Sequence, residues 1–300
     1  MSAETSRPPL LSRRRATLAV AAGILLLALV ETGAAVVAPW RAPDDADWKA
    51  SAAAVAAGFR AGDLIVTAPA WADQVLRLHL GDLIPVRMAA RLDGASYARV
   101  WEISQRGAAA PEAADGRLLE DRRFGGLRLR LYQRQALPLV FDFYDNWAAA
   151  SVSRVEAGRP AIACARLPQQ HQCPGLGYNF VEPRVLEMES SLRRALYAQP
   201  VQGATVAVEY PQARLGRELA VGAGLHNVWL RRNGDGTVWL RVLVEGKEIG
   251  KIESSNRSGW TVARFDTTAW QGRQAPVRFE ITSAKAYSRH FGFTAEARGS

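Results

Sequence analysis

Lysine is almost missing from this 300-residue chain, cysteine occurs twice and histidine four times. Of the 38 basic residues only Lys49, Lys247, Lys251 and Lys285 are lysine, and the arginines stand singly or in pairs beyond Arg13–Arg15. A net charge of +9 spread in this way makes no basic stripe, which argues against nucleic acid and leaves anionic polysaccharide or lipid headgroups open. Arginine in place of lysine, with abundant alanine, is the composition of a GC-rich bacterial genome. His79, His171, His226 and His290 have no metal-ligand spacing, so neither a metal nor a cofactor is expected. The chain also lacks a Gly-x-Ser-x-Gly elbow, a His-Glu-x-x-His helix and a Gly-x-x-x-x-Gly-Lys phosphate loop, and no catalytic residue is assigned. With only Cys164 and Cys173, nine residues apart, the simplest state in an oxidising compartment is a disulfide; free thiols or a metal shared with His171 are the alternatives.

One long apolar run is present. Ala16–Ala38 is interrupted only by Glu31 and Thr32, and follows the arginine triplet. At 1.5 Å per residue it makes about 34 Å of helix, enough for the roughly 30 Å hydrocarbon core. Basic residues before it and Asp44, Asp45 and Asp47 after it place the N-terminus in the cytoplasm. Residues 1–15 are then a basic cytoplasmic tail, 16–38 a single-pass anchor in a bacterial inner membrane, and the bulk of the chain is periplasmic. A cleaved signal peptide is the competing reading, with a small-x-small site at Ala35; against it, Val36 and Val37 continue the run and Pro39 blocks cleavage after Ala38. Glu31 inside the run marks a contact with another membrane helix, or a carboxylate snorkelling to the outer interface.

Two units follow. In 43–137, Asp47 is placed as the N-cap of a helix through Trp48, Ala52, Val55 and Phe59. Asp63–Pro69 and Arg99–Ser104 read as buried strands, Trp71–Leu80 as a helix, and Gly126–Gln133 as a one-sided edge strand. The alternation predicts a small three-layer α/β domain with a partly parallel sheet. The loop 106–121 reads as an excursion. In 139–300, strands are expected at 205–210, 237–244, 247–252, 260–265, 277–281 and 290–295, separated by turns such as Asn233–Gly236 and Glu245-Gly246. Such spacing predicts an antiparallel β-sandwich of jelly-roll type, so the fold class is a multidomain α+β chain with one membrane helix.

Asp47-Trp48, Ala61-Gly62-Asp63 entering a strand, Ala68-Pro69-Ala70-Trp71, Tyr97-Ala98-Arg99-Val100-Trp101 and the strand closing at Tyr132 resemble a known module. It is similar to the soluble extracytoplasmic domain of polytopic glycosyltransferases that use lipid-phosphate sugars. Those enzymes keep their catalytic acids within a bundle of many membrane helices, so the resemblance implies an accessory role here. The hairpin Val244-Glu245-Gly246-Lys247, the Gly259-Trp260 strand, Phe265-Asp266-Thr267 and a last strand returning beside the first resemble the galactose-binding-like β-sandwich.

Sugar binding on such a sandwich calls for an aromatic platform flanked by hydrogen-bonding groups. Trp239 and Trp260 stand inside strand patterns and are assigned to the core. Trp229 and Trp270 near strand ends, with His226 and Asn227, are the candidate ligand-binding residues, with packing as the competing role of the two tryptophans. The expectation is a non-catalytic, bitopic envelope protein that binds glycan or a partner and sits beside a polytopic glycosyltransferase. The alternative is a glycan hydrolase using Asp142 and Asp145. Three residues apart on a strand, those two carboxylates would face opposite ways.

Overall fold

The computed structural model describes residues 10–37, 42–189, 191–226 and 235–299. Helix α1 (Leu10–Val37) contains a span, Arg15–Ala35, long and apolar enough to cross a membrane, and Leu18, Ile24, Leu29 and Glu31 are exposed on it. Helix α2 (Asp45–Gly58) starts earlier than the sequence suggested. Its N-cap is Asp44, whose carboxylate accepts from Asp47 N at 2.8 Å while Asp47 accepts from Asp44 N at 3.3 Å. Asp47 is therefore the third helical residue. A reciprocal bond pair satisfies two end donors and outcompetes a cap further along. Asp47 also accepts from Gly126 N at 3.1 Å, which ties the helix start to a strand turn.

The first unit has strands β1 (Asp63–Ala68), β2 (Arg99–Gln105), β3 (Arg117–Phe124) and β4 (Leu127–Gln133), in sheet order β1-β2-β4-β3. Only the β1–β2 pair is parallel. Helices α2 and α3 (Asp73–Leu80) pack together, and the end of α2 lies against Trp101, whose ring leaves no room for a side chain at Gly58. The other face is covered by the segment holding α4 (Val86–Ala89) and by residues 108–113: Gly94 sits against Leu64 and Glu112, and buried Glu102 accepts from Ala110 N at 2.8 Å. The edge strands are β1 and β3, and β3 begins inside the expected loop 106–121 and runs past it. β4 is interior. Its Leu127, Leu129 and Leu131 are buried while Arg128 and Arg130 reach Asp121 and Glu102, so the alternation marked the two faces of the strand and not its place in the sheet.

The second unit is wholly antiparallel. Its strands are β5 (Leu139–Asp142), β6 (Ser151–Glu156), β7 (Ile162–Ala163), β8 (Ala165–Arg166), β9 (His171–Gln172), β10 (Phe180–Met188) and β11 (Ser191–Ala198). They are followed by β12 (Ala204–Arg214), β13 (Glu218–Leu225), β14 (Val238–Val244), β15 (Lys247–Ser254), β16 (Thr261–Asp266), β17 (Gln274–Ser283) and β18 (Phe291–Arg298). One sheet runs β16-β13-β18-β11-β10-β9-β8, with β5 also on β18; the other runs β15-β14-β17-β12-β6-β7. The last strand does lie beside the first, Glu296 opposite Asp142. Between the sheets Phe143, Tyr210, Phe279 and Phe293 meet mostly edge to face at 4.9–6.2 Å, and Tyr210 Oη donates to Phe143 O at 2.7 Å. Cys164 and Cys173 form a disulfide against this core.

The units are fastened through Asp93. Fully buried Arg298 donates to it at 2.9 Å and to Glu296 at 2.7 Å, and Arg264 adds a third contact at 2.8 Å. Burial pushes the Asp93 carboxyl up, but hydrogen bonding and the charge of Arg298 outweigh it and hold Asp93 below the usual range. Nearby, Arg194 N donates to Ala90 O and Arg193 to Arg91 O, both at 3.0 Å.

Candidate functional site

Strands β14, β17, β12 and β6 turn one set of side chains into the core and the other outward. Val238, Leu240, Val242 and Val244 are buried, which sends Trp239 and Arg241 to the outer face. Trp239 stands opposite Thr282 in β17, and Thr205 in β12 stands opposite Val155 in β6. These four side chains line a groove of about 790 Å³, walled by Glu156–Arg159 at one end and by Asp235–Thr237 and Lys285 at the other. Lys285 pairs with Asp235 at 2.6 Å and Arg159 with Glu156 at 2.9 Å, so both rims are polar. The ammonium of exposed Lys251 lies over the Trp239 ring at 4.9 Å.

Further along the same face the surface becomes a charge ladder. Arg241 reaches Glu248 and Glu280, each at 2.8 Å; Arg278 joins Glu280 at 2.9 Å and Glu209 at 3.1 Å. The groove thus offers one aromatic platform, hydroxyls beside it and charged donors and acceptors around it, which are the elements that recognise a polyhydroxylated ligand.

The sequence assigned Trp239 to the core, and the structure corrects this. Alternation shows that a strand has two faces; which one is inner depends on the partner sheet. Trp260 is half-buried instead, its ring against Gly222 and under the Arg193 guanidinium at 5.5 Å. Trp270 belongs to the sandwich core, 9% exposed, with its indole N–H on Glu245 at 2.8 Å, so packing and a hydrogen bond already use the ring. His226 follows β13, its Nδ1 at 3.0 Å from Glu187 O, and does not line the groove. Trp229 and Asn227 lie outside the described residues.

Asp142 and Asp145 come together. β5 ends at Asp142, and the chain turns there: Oδ1 accepts from Tyr144 N at 2.9 Å and from Asp145 N at 3.1 Å. The expected opposite faces presumed an unbroken strand, whereas this turn aims both carboxylates at Arg194. Burial pushes Asp142 up, against the pull of Arg194 and Arg87. Both carboxylates are held by guanidinium groups, an arrangement of braces. Among the described residues no group of His, Cys, Asp and Glu is placed to hold a metal ion.

No protein-family model matches the chain, and no curated protein matches it. Among solved structures it is similar to a two-domain piece of Clostridium perfringens ZmpB, CBM51-2 with GlcNAc plus INT domains. There the identity is 9%, the TM-score 0.34, and the match covers 62% of this chain and 41% of that one. A xylan-binding module, CBM15, shares 7% identity at a TM-score of 0.27, over 49% of this chain and 90% of that one. A carbohydrate-binding module described as belonging to the β-sandwich superfamily shares 7% at 0.28, over 58% and 68%.

Proposed function

We propose that this chain is a membrane-anchored, extracytoplasmic glycan-binding protein that serves a polytopic glycosyltransferase of envelope glycan assembly as a non-catalytic subunit. The observation that carries the binding reading is the outer-face groove, where Trp239 stands between Thr282 and Lys251. An indole face packs against the C–H face of a sugar ring while hydroxyls and charged groups at its edge exchange hydrogen bonds with the sugar's own. The helix α1, with arginines before its apolar span and aspartates after it, supports a single-pass anchor with the N-terminus in the cytoplasm. Glu31 on that helix, and the small α/β unit, are the surfaces offered to a transferase.

Affinity electrophoresis of the full chain through a gel containing envelope polysaccharide tests the binding reading. Retardation is expected for the native protein and its loss for Trp239→Ala, whose melting temperature should barely move. Unchanged mobility of the native chain would sink it. Copurification from native membrane tests the partner: a multi-helix transferase should accompany the native protein and be depleted by Glu31→Leu or by disruption of the α/β unit. A hydrolase remains the second reading, motivated by the buried Asp142 beside Asp145, and release of reducing ends that Asp145→Asn abolishes would establish it. The arginine clamp on both carboxylates favours their role as braces.

A further inference from the structure

A second cavity, about 260 Å³, opens where the two units meet and shares no lining residue with the Trp239 groove. One wall comes from the α/β unit, with Arg87, Ser96 and Tyr97; the other comes from the sandwich, with Tyr144, Arg194 and Thr294. Three features distinguish it from a seam filled by its own contacts. Ser96, whose Oγ has no hydrogen-bond partner among the described residues, lines it. Arg87 is half exposed and approaches the carboxylates only at 3.7–3.8 Å, beyond hydrogen-bonding distance, so its donors remain available. Arg194 is already fixed, stacked over the Tyr144 ring at 4.3 Å and ion-paired on its edge. Acceptors complete the lining: Asp142 and Glu296, opposite one another in β5 and β18.

Hydroxyls, carboxylate acceptors, guanidinium donors and two phenol rings in one small space match the alternating donor and acceptor edge of a sugar ring. The size sets the length of the ligand. At the roughly 30 Å³ that a water occupies in the liquid, the cavity holds about eight or nine waters, and it falls below the roughly 300–1,000 Å³ of a drug-sized pocket. One ring fits inside, and the rest of a chain would leave through the open mouth. We propose that this interdomain cleft binds a single terminal pyranose unit, gripped by Arg87 and Tyr97 from one unit and by Tyr144 and Arg194 from the other. The proposal builds on the glycan-binding reading but places the chain end at a site separate from the groove that holds the chain's length. Since both units supply walls, occupancy also fastens them together.

Saturation-transfer NMR on the detergent-solubilised full chain, with the methyl glycosides of glucose, galactose, mannose and N-acetylglucosamine as probes, tests this. At least one glycoside should receive transfer, retained in Trp239→Ala and reduced about fivefold or more in Arg87→Ala and in Tyr97→Phe, the worth of one hydrogen bond. Arg87 is exposed enough for its variant to fold, and the conservative Tyr97→Phe keeps the ring. No transfer from any glycoside to the native chain, transfer indifferent to both cleft variants, or transfer abolished by Trp239→Ala each overturns the proposal. Loss of polysaccharide retention in Trp239→Ala with cleft transfer intact confirms the two sites as independent; failure of retention by the native chain with cleft transfer intact removes the groove reading alone.

Discussion

Single side chains carry the joint between the units. Arg298 is fully buried, and Asp93 and Glu296 are what neutralise it there. Removing one partner of a buried pair leaves charge uncompensated, so Asp93→Asn should lower unfolding stability by about 3 kcal/mol, read from urea denaturation. A change below about 1 kcal/mol would mean that Glu296 alone suffices. At this scale the sequence was only partly legible. Cys164 and Cys173 were readable because an oxidised pair needs only proximity. The burial of Trp239 and Trp270 was not readable, the first half-exposed on the outer face and the second packed in the core, because a tryptophan in a strand and one in a loop look alike until the facing sheet is known. The Arg194 clamp was invisible: its partners Asp142 and Asp145 stand some fifty residues away in sequence.

Elements were more legible where one face was dry. Strands β12, β14, β15, β16, β17 and β18 appeared in the sequence because each alternates. β13 did not appear, since it is buried on both faces and built from small residues. Its Gly222 shows why: a Cβ there would stand 2.3 Å from the Trp260 ring and 2.4 Å from Leu92 of the other unit. Gly222→Ala should therefore cost about 1–3 kcal/mol through overpacking, although alanine is the better strand former, and a thermal melt will show it. β10 was obscured by Pro183 and by charged residues that keep much of it wet. The disulfide loop predicts an effect of similar size. Replacing both cysteines with serine should cost about 2–3 kcal/mol, since a short loop restrains few unfolded conformations, and the transition should stay cooperative.

For the whole molecule, pH acts on the seam in two opposed ways. Asp93 is held below its ordinary value of 3.8, so its contribution is full above that pH and is lost as pH falls through the lower folded value. Glu296 is pushed above its ordinary 4.5 by burial, against the pull of Arg298, and so behaves oppositely: its contribution is present below 4.5 and is lost as pH rises through the raised folded value. Thermal melts across the acid range should show a modest gain on entering mild acid, flattened in Glu296→Gln, and a steep loss below about 3.8 that Asp93→Asn blunts. The layered plan of α/β unit and sandwich was readable from periodicity, whereas the seam between them was not, since nothing local encodes which two surfaces will meet.

Strand β18 lies inside its sheet, between β13 on one side and β11 with β5 on the other, and it follows every other described strand in the sequence. The last described strand in the sequence thus holds a central place in the sheet. Until Phe291–Arg298 has been made, three strands present bare N–H and C=O rows to whatever is nearby, and the arginine that joins the units does not yet exist. Pairing of this one strand therefore closes three open edges and delivers Arg298 to the seam in the same step, so a change that keeps β18 out of the sheet exposes the chain to association and loosens its two units together.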